Sequence, residues 1–181
     1  MQKSWRTDRD KLTFIVCRPL DENTKTVGYV KAGAHDEVNA MIGDVNLFLS
    51  LDDESEEAGA VSASQVVGEI ELMIALPSTQ HKGYGRAALV TFMQYVLAQW
   101  AHIALEFGGS GPALSLTYLR ARIQESNVRS IKLFESVGFA RTSEGANYFG
   151  EIELRWRGDV EDLRTVKGYE EVKTLEYRST A

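Results

Sequence analysis

The sequence predicts a single mixed α/β domain in which helices cover a central sheet. Runs of β-forming residues and runs of helical periodicity follow one another in the order β-β-β-α-β-α-β-β, which is typical of a layered fold. A strand, a glycine-bearing turn and a long apolar helix stand at the centre of that order. The length of 181 residues fits one domain with a substantial core.

The N-terminal part is predicted to contain three strands. They are the apolar, β-rich runs at residues 12–18, 41–51 and 66–76. Residues 19–40 are polar and contain glycine, which predicts a loop or the end of a hairpin. Residues 52–64 are acidic, rich in small residues and without periodicity, so we expect a mobile loop that joins two strands.

The centre of the chain is predicted to form a buried helix from Gly83 to about Ala104, because apolar residues occur on nearly every side of it. Residues 106–113 predict a flexible connection, and residues 114–123 predict a strand. A shorter helix is expected over residues 128–137.

The ends of that shorter helix carry their own signals. Asn127 is placed to be its N-cap, and Gly138 is placed to end it as a left-handed residue. Strands at 139–141 and 147–156 follow, and the alternation in the second indicates a half-exposed antiparallel strand. We therefore place the domain at residues 1–158 and treat residues 159–181 as a charged C-terminal tail.

Charge and composition exclude several classes of protein. The net charge is −6, and no basic face suggests nucleic-acid binding. No apolar run approaches the ~18 residues that a membrane span needs, and the N-terminus has no signal region. Cys17 is the only cysteine, which fits a reducing compartment, so we expect a cytoplasmic protein. His35, His81 and His102 have spacings that match no metal site.

The turn after the third strand has the pattern Q-x-x-G-x-G, formed by Gln80, Gly83 and Gly85. Glycines allow positive φ and let a ligand approach the main chain. The unpaired N–H groups of a first helical turn suit an anionic diphosphate, and Lys82 and Arg86 add positive charge. The alternative for these residues alone is an ordinary glycine-bearing turn between a strand and a helix.

A second motif lies in residues 122–139 and has the form N-x-x-S-x-x-x-(Y/F)-x-x-x-G-F. Its members here are Asn127, Ser130, Phe134, Gly138 and Phe139. Together the two motifs resemble the GNAT superfamily of N-acetyltransferases over about residues 12–156. The runs at 41–49, 68–78 and 82–85 resemble the N-acetyltransferase 9-like family, which is linked to acetylation of tubulin N-termini and to microtubule stability.

This resemblance implies a fold and a cofactor. The fold is the GNAT-like mixed central sheet flanked by helices, and the co-substrate is acetyl-CoA, with no metal. Main-chain N–H groups of the turn would hold the CoA pyrophosphate, those of Gln80, His81, Lys82, Gly83, Tyr84 and Gly85. For His81 the alternative is a solvated loop histidine.

The resemblance also assigns the pantetheine arm of the cofactor. Main-chain groups near Ile74 and Ala75 would bind its amides, and one N–H could stabilise the tetrahedral oxyanion. Asn127 would contact the same arm while it caps its helix. Ser130 and Phe134 are carried over as cofactor-contacting positions of the second motif.

Two carboxylates are candidate general bases. Glu69 lies eleven residues before Gln80, where several superfamily members carry a catalytic Glu or Tyr. Glu71 shares its face because strand side chains alternate. Two carboxylates on one face are costly unless they are solvated, paired or functional. The alternative is therefore pairing with Arg or Lys on a neighbouring strand.

The implied reaction is direct attack of a primary amine on the thioester. The acceptor is expected to be a protein or peptide, with a tubulin N-terminus as the specific candidate. A protein α-amino group has a pKa near ~7.7–8 and needs only weak base assistance.

Two departures from the superfamily pattern support an alternative, a non-catalytic GNAT scaffold that binds microtubules. Phe134 stands where many members use Tyr to protonate the leaving thiolate, which costs about 2 kcal/mol at neutral pH. Tyr118 and Tyr148 are candidate substitutes, or packing aromatics. The strand and two helices that normally come first are expected to be missing, with the end of the second helix retained in residues 2–11.

Overall fold

The computed structural model describes residues 7–20, 28–34, 36–52 and 65–179. Apart from Asp52, the predicted acidic loop at 52–64 lies outside these residues. The same is true of His35 and of the first part of the helix end expected at 2–11.

A mixed six-stranded sheet forms the centre of the molecule, which confirms the predicted fold class. Its order is β1-β3-β4-β5-β7-β6. All neighbours are antiparallel except β4 and β5, which are parallel. The strands are β1 (Lys11–Cys17), β3 (Met41–Leu51), β4 (Gln65–Ile74), β5 (Ser115–Gln124), β6 (Ala140–Arg141) and β7 (Glu151–Trp156).

Within the described residues, the helices that accompany the sheet are α1 (Tyr84–Ala98), α2 (Trp100–Gly108), α3 (Val128–Glu135) and α4 (Val160–Arg164). The prediction of one continuous helix to about Ala104 is wrong, because the chain bends by 70° between α1 and α2. α2 also extends to Gly108, into the predicted flexible connection. α3 ends at Glu135, and Gly138 has the expected positive φ of 103°.

Among the described helices, none alone is long and apolar enough to cross a membrane. Only α1 and α2 taken together reach that length and composition.

The core lies between one face of the sheet and helices α1 and α3. Its fully buried side chains include Leu47 of β3, Leu119 of β5, Met93 of α1 and Ile131 of α3. The opposite face of the sheet carries charged and polar side chains of β3, β4, β5 and β7, as the alternation of each strand requires.

The C-terminal segment contributes to this core. Leu163 of α4 is completely buried, and Tyr169 packs against the core cluster. Further along, β8 (Glu176–Arg178) pairs in parallel with β2 (Tyr29–Lys31), a short strand within the predicted loop at 19–40. The boundary at 158/159 stays a prediction, but residues that follow it pack on the domain.

Candidate functional site

The parallel strands β4 and β5 separate partway along their length. Their pairing runs from Gln65 to Glu69 on β4 and ends at Arg120 on β5. Beyond this point β4 continues to Ile74 beside β3, while β5 continues beside β7. A wedge-shaped gap therefore opens in the middle of the sheet.

The open edge of β4 presents main-chain donors to this gap. The N–H of Ala75 donates to the Ile42 carbonyl at 2.8 Å, so it points toward β3. Because successive N–H groups of a strand point to opposite edges, the N–H groups of Leu72 and Ile74 point into the gap. The Ala75 N–H therefore faces away from the gap, and the role predicted for main-chain groups near Ile74 and Ala75 stays a prediction.

The turn between β4 and α1 is braced by its own side chains. Pro77–Thr79 form a short 3-10 turn, and Thr79 Oγ1 donates to the Leu76 carbonyl at 2.7 Å. Gln80 Nε2 donates to the Ile74 carbonyl at 2.8 Å. The Gln80 side chain thus shapes the turn, although the residue also lines the cavity described below.

The end of the turn has the backbone geometry of an anion site. Gly83 has φ of 88° and precedes α1, and its carbonyl accepts from the Ala87 N–H at 3.0 Å. The N–H groups of Tyr84, Gly85 and Arg86 in the first helical turn have no intrahelical acceptor. They lie at the positive end of the α1 dipole, where a diphosphate is stabilised.

Gly85 lets the start of α1 approach the sheet closely. A methyl group at this position would lie 3.4 Å from Leu133 Cδ2 and 3.7 Å from Ile74 Cγ1. A larger side chain would project among the residues that line the gap.

A cavity of about 480 Å³ occupies the space between the open end of β4, the turn and α3. That volume is within the range of small-molecule sites. The predicted cofactor residues that line it are Ile74, Gln80, His81, Gly83, Gly85, Arg86, Asn127 and Ser130. The predicted residues absent from its lining are Ala75, Lys82, Tyr84 and Phe134.

On the α3 side, the cavity is bordered by a capped helix end. Asn127 Oδ1 accepts from the Ser130 N–H at 3.2 Å, which leaves the Asn127 amide nitrogen available to a ligand. Phe134 is only 4% exposed and packs edge-on against Phe139 at 5.0 Å. Phe134 is therefore a core residue outside the cavity lining, and its contact with the cofactor stays a prediction.

Arg86 has a second role besides its place in the cavity wall. Its Nη1 donates to Ser136 Oγ and its Nη2 to the Lys167 carbonyl, both at 2.9 Å. The side chain thus ties the start of α1 to the end of α3 and to the C-terminal segment, and it leaves a positive charge beside the turn.

Arg129 is a cavity residue that the motifs did not single out. Its Nη1 lies 3.2 Å from Nε2 of His81, and no carboxylate of the described residues pairs with it. It occupies the first turn of α3, where the helix dipole disfavours a cation. A basic residue in the first turn of a predicted helix was therefore the sequence feature that could have identified Arg129. His81 in turn is the one described non-glycine residue with positive φ, at 60°.

The two candidate bases lie on the sheet face opposite α1 and have different surroundings. Glu69 Oε2 accepts from Arg120 Nε at 2.8 Å and lies 3.7 Å from Arg122 Nη1. This is the alternative expected for it, a carboxylate paired across the strands. Glu71 lies at an exposed position of β4. Partial desolvation of its carboxylate by the surrounding protein, together with the charges of Glu69 and Asp44, raises its pKa.

The two tyrosines considered as acids are not placed at the cavity. Tyr118 is buried, and the guanidinium groups of Arg155 and Arg157 lie 4.4 and 4.5 Å from its ring centre. Tyr148 is 96% exposed and contacts Phe149. Neither lines the gap between β4 and β5.

Comparison with known structures agrees with this arrangement. The chain superposes on the Vibrio cholerae spermidine N-acetyltransferase SpeG chimera with a TM-score of 0.53 and 15% identity, over 90% of this chain and 78% of that one. Arabidopsis thaliana NAA60 in complex with a bisubstrate analogue gives 0.52 and 13%, over 83% and 77%. At these identities the likeness concerns the fold.

Sequence relatives are closer. An N-acetyltransferase 9-like protein of Schizosaccharomyces pombe is 37% identical over 85% of this chain and 73% of its own. Proteins named alpha/beta-tubulin-N-acetyltransferase 9 from Drosophila melanogaster and Homo sapiens are 36% and 35% identical. This chain matches 85% and 86% of its own length to them but spans only 62% and 59% of theirs.

A family model described as the acetyltransferase (GNAT) domain matches residues 1–140. The matched part contains the gap, the glycine-bearing turn and the capped start of α3. The chain therefore belongs to the GNAT family of acetyl-CoA-dependent N-acetyltransferases.

Proposed function

We propose that this chain transfers the acetyl group of acetyl-CoA to the α-amino group of a protein or peptide, with a tubulin N-terminus as the specific acceptor. The observation that carries the proposal is the gap between β4 and β5, which joins two sets of main-chain donors in one cavity. The donors of the first α1 turn suit the diphosphate. The N–H groups of Leu72 and Ile74 suit the thioester end.

The chemistry follows from this division. CoA held by the turn directs its pantetheine arm along the open edge of β4, toward Asn127 on the opposite wall. An N–H of Leu72 or Ile74 stabilises the oxyanion that forms when the amine attacks the carbonyl carbon. Removal of one such donor from an oxyanion site typically costs about 10²–10³ in kcat.

The acceptor is proposed on two grounds. Relatives from Drosophila melanogaster and Homo sapiens carry tubulin N-acetyltransferase in their names. An α-amino group also has a pKa of about 7.7–8, so a fraction of it is neutral at pH 7. The ε-amino group of lysine, at about 10.4, needs a strong base, and Glu69 is engaged by arginines.

The test is CoA thiol release with a tubulin N-terminal peptide that has a free α-amino group. A second peptide, acetylated at its N-terminus and carrying a lysine, reports ε-amino transfer. We expect thiol release with the first peptide only. Gly85→Val should abolish it by filling the cavity, whereas Gly145→Val, at a loop position with open space around it, should not.

The scaffold alternative makes the opposite prediction. It is favoured by the lining of the cavity, in which the described residues include no tyrosine to protonate the thiolate, and by the burial of Phe134. Binding of acetyl-CoA without thiol release on any amine would establish it.

A further inference from the structure

The charged side chains at the apex of the gap form one network across three strands. Glu69 of β4 and Arg120 of β5 are the last residues that pair before the two strands separate, and Glu69 Oε2 accepts from Arg120 Nε at 2.8 Å. Arg122, two positions further along β5, lies 3.7 Å from the same oxygen. Its Nε donates to Glu153 Oε2 of β7 at 3.3 Å. Arg122 is therefore shared between a carboxylate of β4 and a carboxylate of β7.

The register of β4 and β5 identifies an ion pair that does not form. The ladder ends with Glu69 beside Arg120, so continued pairing would place Glu71 beside Arg122 on the same face of the sheet. Opposite charges at directly opposed positions attract each other. In the structure, however, Glu71 is exposed and forms no ion pair within the described part of the chain.

The main chain also favours closure of the gap. The N–H group of Leu72 points toward β5 across the open space, since the Ala75 N–H points the other way, to β3. Unpaired strand edges tend to pair with any strand that comes within reach. Attraction between Glu71 and Arg122 would strengthen this tendency. An open gap is therefore favoured by any interaction that keeps Arg122 away from Glu71.

Glu153 is placed to supply that interaction. Its carboxylate accepts from Arg122 and, at 2.6 Å, from Arg155, and its side chain is 19% exposed. Burial raises the pKa of Glu153, but the hydrogen bonds from Arg155 and Arg122 outweigh burial and lower it. Glu153 is therefore ionised at neutral pH and holds the Arg122 guanidinium. The other carboxylate near Arg122, that of Glu69, is already engaged by Arg120.

We propose that Glu153 is a positioning residue that keeps the gap open by holding Arg122 away from Glu71, an inference that rests on the proposed binding of CoA in the gap. Without the charge of Glu153, Arg122 pairs with Glu71, and β4 and β5 extend their pairing toward Leu72. The pantetheine arm then loses its path between the strands. Glu153 acts on the reaction only through the width of the gap.

Amide hydrogen exchange of the ligand-free chain tests the effect on the gap directly. Glu153→Gln should slow exchange of the Leu72 N–H, because this group gains an acceptor on β5. A variant that merely destabilises the fold speeds exchange instead. The matched control is Glu135→Gln, which removes a carboxylate that pairs with Arg141 at 2.9 Å away from the gap. It should leave the exchange rate of Leu72 unchanged.

Calorimetric titration with CoA measures the consequence for binding. Glu153→Gln should weaken CoA binding about tenfold, because only the open fraction of the molecules binds CoA. Arg122→Gln breaks the same ion pair but removes the cation that would attract Glu71, so CoA should bind as it does to the wild type. The double variant Glu153→Gln/Glu71→Gln should bind CoA as tightly as Glu71→Gln alone.

Three results would overturn the inference: unchanged or faster exchange of Leu72 in Glu153→Gln, equal CoA affinities of Glu153→Gln and Arg122→Gln, or a loss of affinity in Glu153→Gln that Glu71→Gln does not restore. Failure of the wild type to bind CoA would overturn the proposed function. The exchange measurement needs no ligand, so it decides between an open and a closed gap in that case too.

Discussion

At the scale of single residues, the geometry of the turn between β4 and α1 depends on two glycines. Gly83 has positive φ and Gly85 allows close packing, as the Q-x-x-G-x-G pattern indicates. The sequence pattern does not predict in the same way which distant residues contact each other. The partner of Glu69 is Arg120 on another strand, and no local pattern selects which arginine it meets.

Arg129 illustrates the same limit and leads to a prediction. Its neighbour His81 lies 48 positions away in sequence, so the pair exists only in the fold. We expect Arg129→Gln to weaken CoA binding about tenfold or more, since a hydrogen bond to a charged group contributes roughly 1.5–3 kcal/mol. Calorimetry measures the change. Arg141→Gln, whose arginine pairs with Glu135 outside the cavity, is the control, and an equal loss in both variants would refute this role.

Glu71 gives a prediction about pH. Its pKa is raised in the folded state by burial and by Glu69 and Asp44, so its ionised form destabilises the fold. Glu71→Gln should therefore increase the free energy of unfolding at pH 7, by less than about 1 kcal/mol because the group is exposed. The gain should shrink as pH falls through the raised pKa and vanish below the unfolded value of about 4.3. Urea unfolding at pH 7 and pH 4 measures it, and a gain of the same size at both pH values would contradict this account.

At the scale of elements, the strand β3 was predicted with its observed bounds, whereas the helix after the turn was not. No proline or glycine marks Gln99, so the sequence reads as one helix from Gly83 onward. The bend of 70° lies between α1 and α2, and Ile103 and Ala104 of α2 are buried. Tertiary packing thus outweighs local propensity there.

Gly43 on β3 should be essential for the geometry of the open β4 end. A methyl group there would lie 1.9 Å from the Met73 carbonyl oxygen, so the two strands could not keep their spacing. We expect Gly43→Ala to lower the free energy of unfolding by about 2–4 kcal/mol, measured by chemical denaturation. Gly145→Ala, with open space around it, should have almost no effect. Equal stability of the two variants would show that β3 and β4 tolerate a wider separation.

At the scale of the whole molecule, the layered class followed from the order of the elements, but the strand order β1-β3-β4-β5-β7-β6 did not. Pairing between strands far apart in sequence depends on which apolar faces can be buried together. The same holds for the C-terminal segment, whose charge suggested a tail, while Leu163 is completely buried.

The contribution of that segment can be measured. Leu163→Ala should destabilise the fold by about 2–5 kcal/mol, as expected for a buried leucine that leaves a cavity. Val172→Ala, at a partly exposed position in the same segment, should cost far less. Thermal unfolding with two-state analysis compares them. A negligible effect of Leu163→Ala would mean that residues after 158 do not stabilise the domain.

The central claim is that the main-chain donors at the start of α1 hold the diphosphate of CoA. A crystal of the full chain soaked with coenzyme A tests it most directly. We predict the diphosphate within hydrogen-bonding distance of the Gly85 and Arg86 N–H groups, with the pantetheine arm along β4 from Ile74 toward Leu72. An empty gap, or CoA bound away from this turn, would contradict the account.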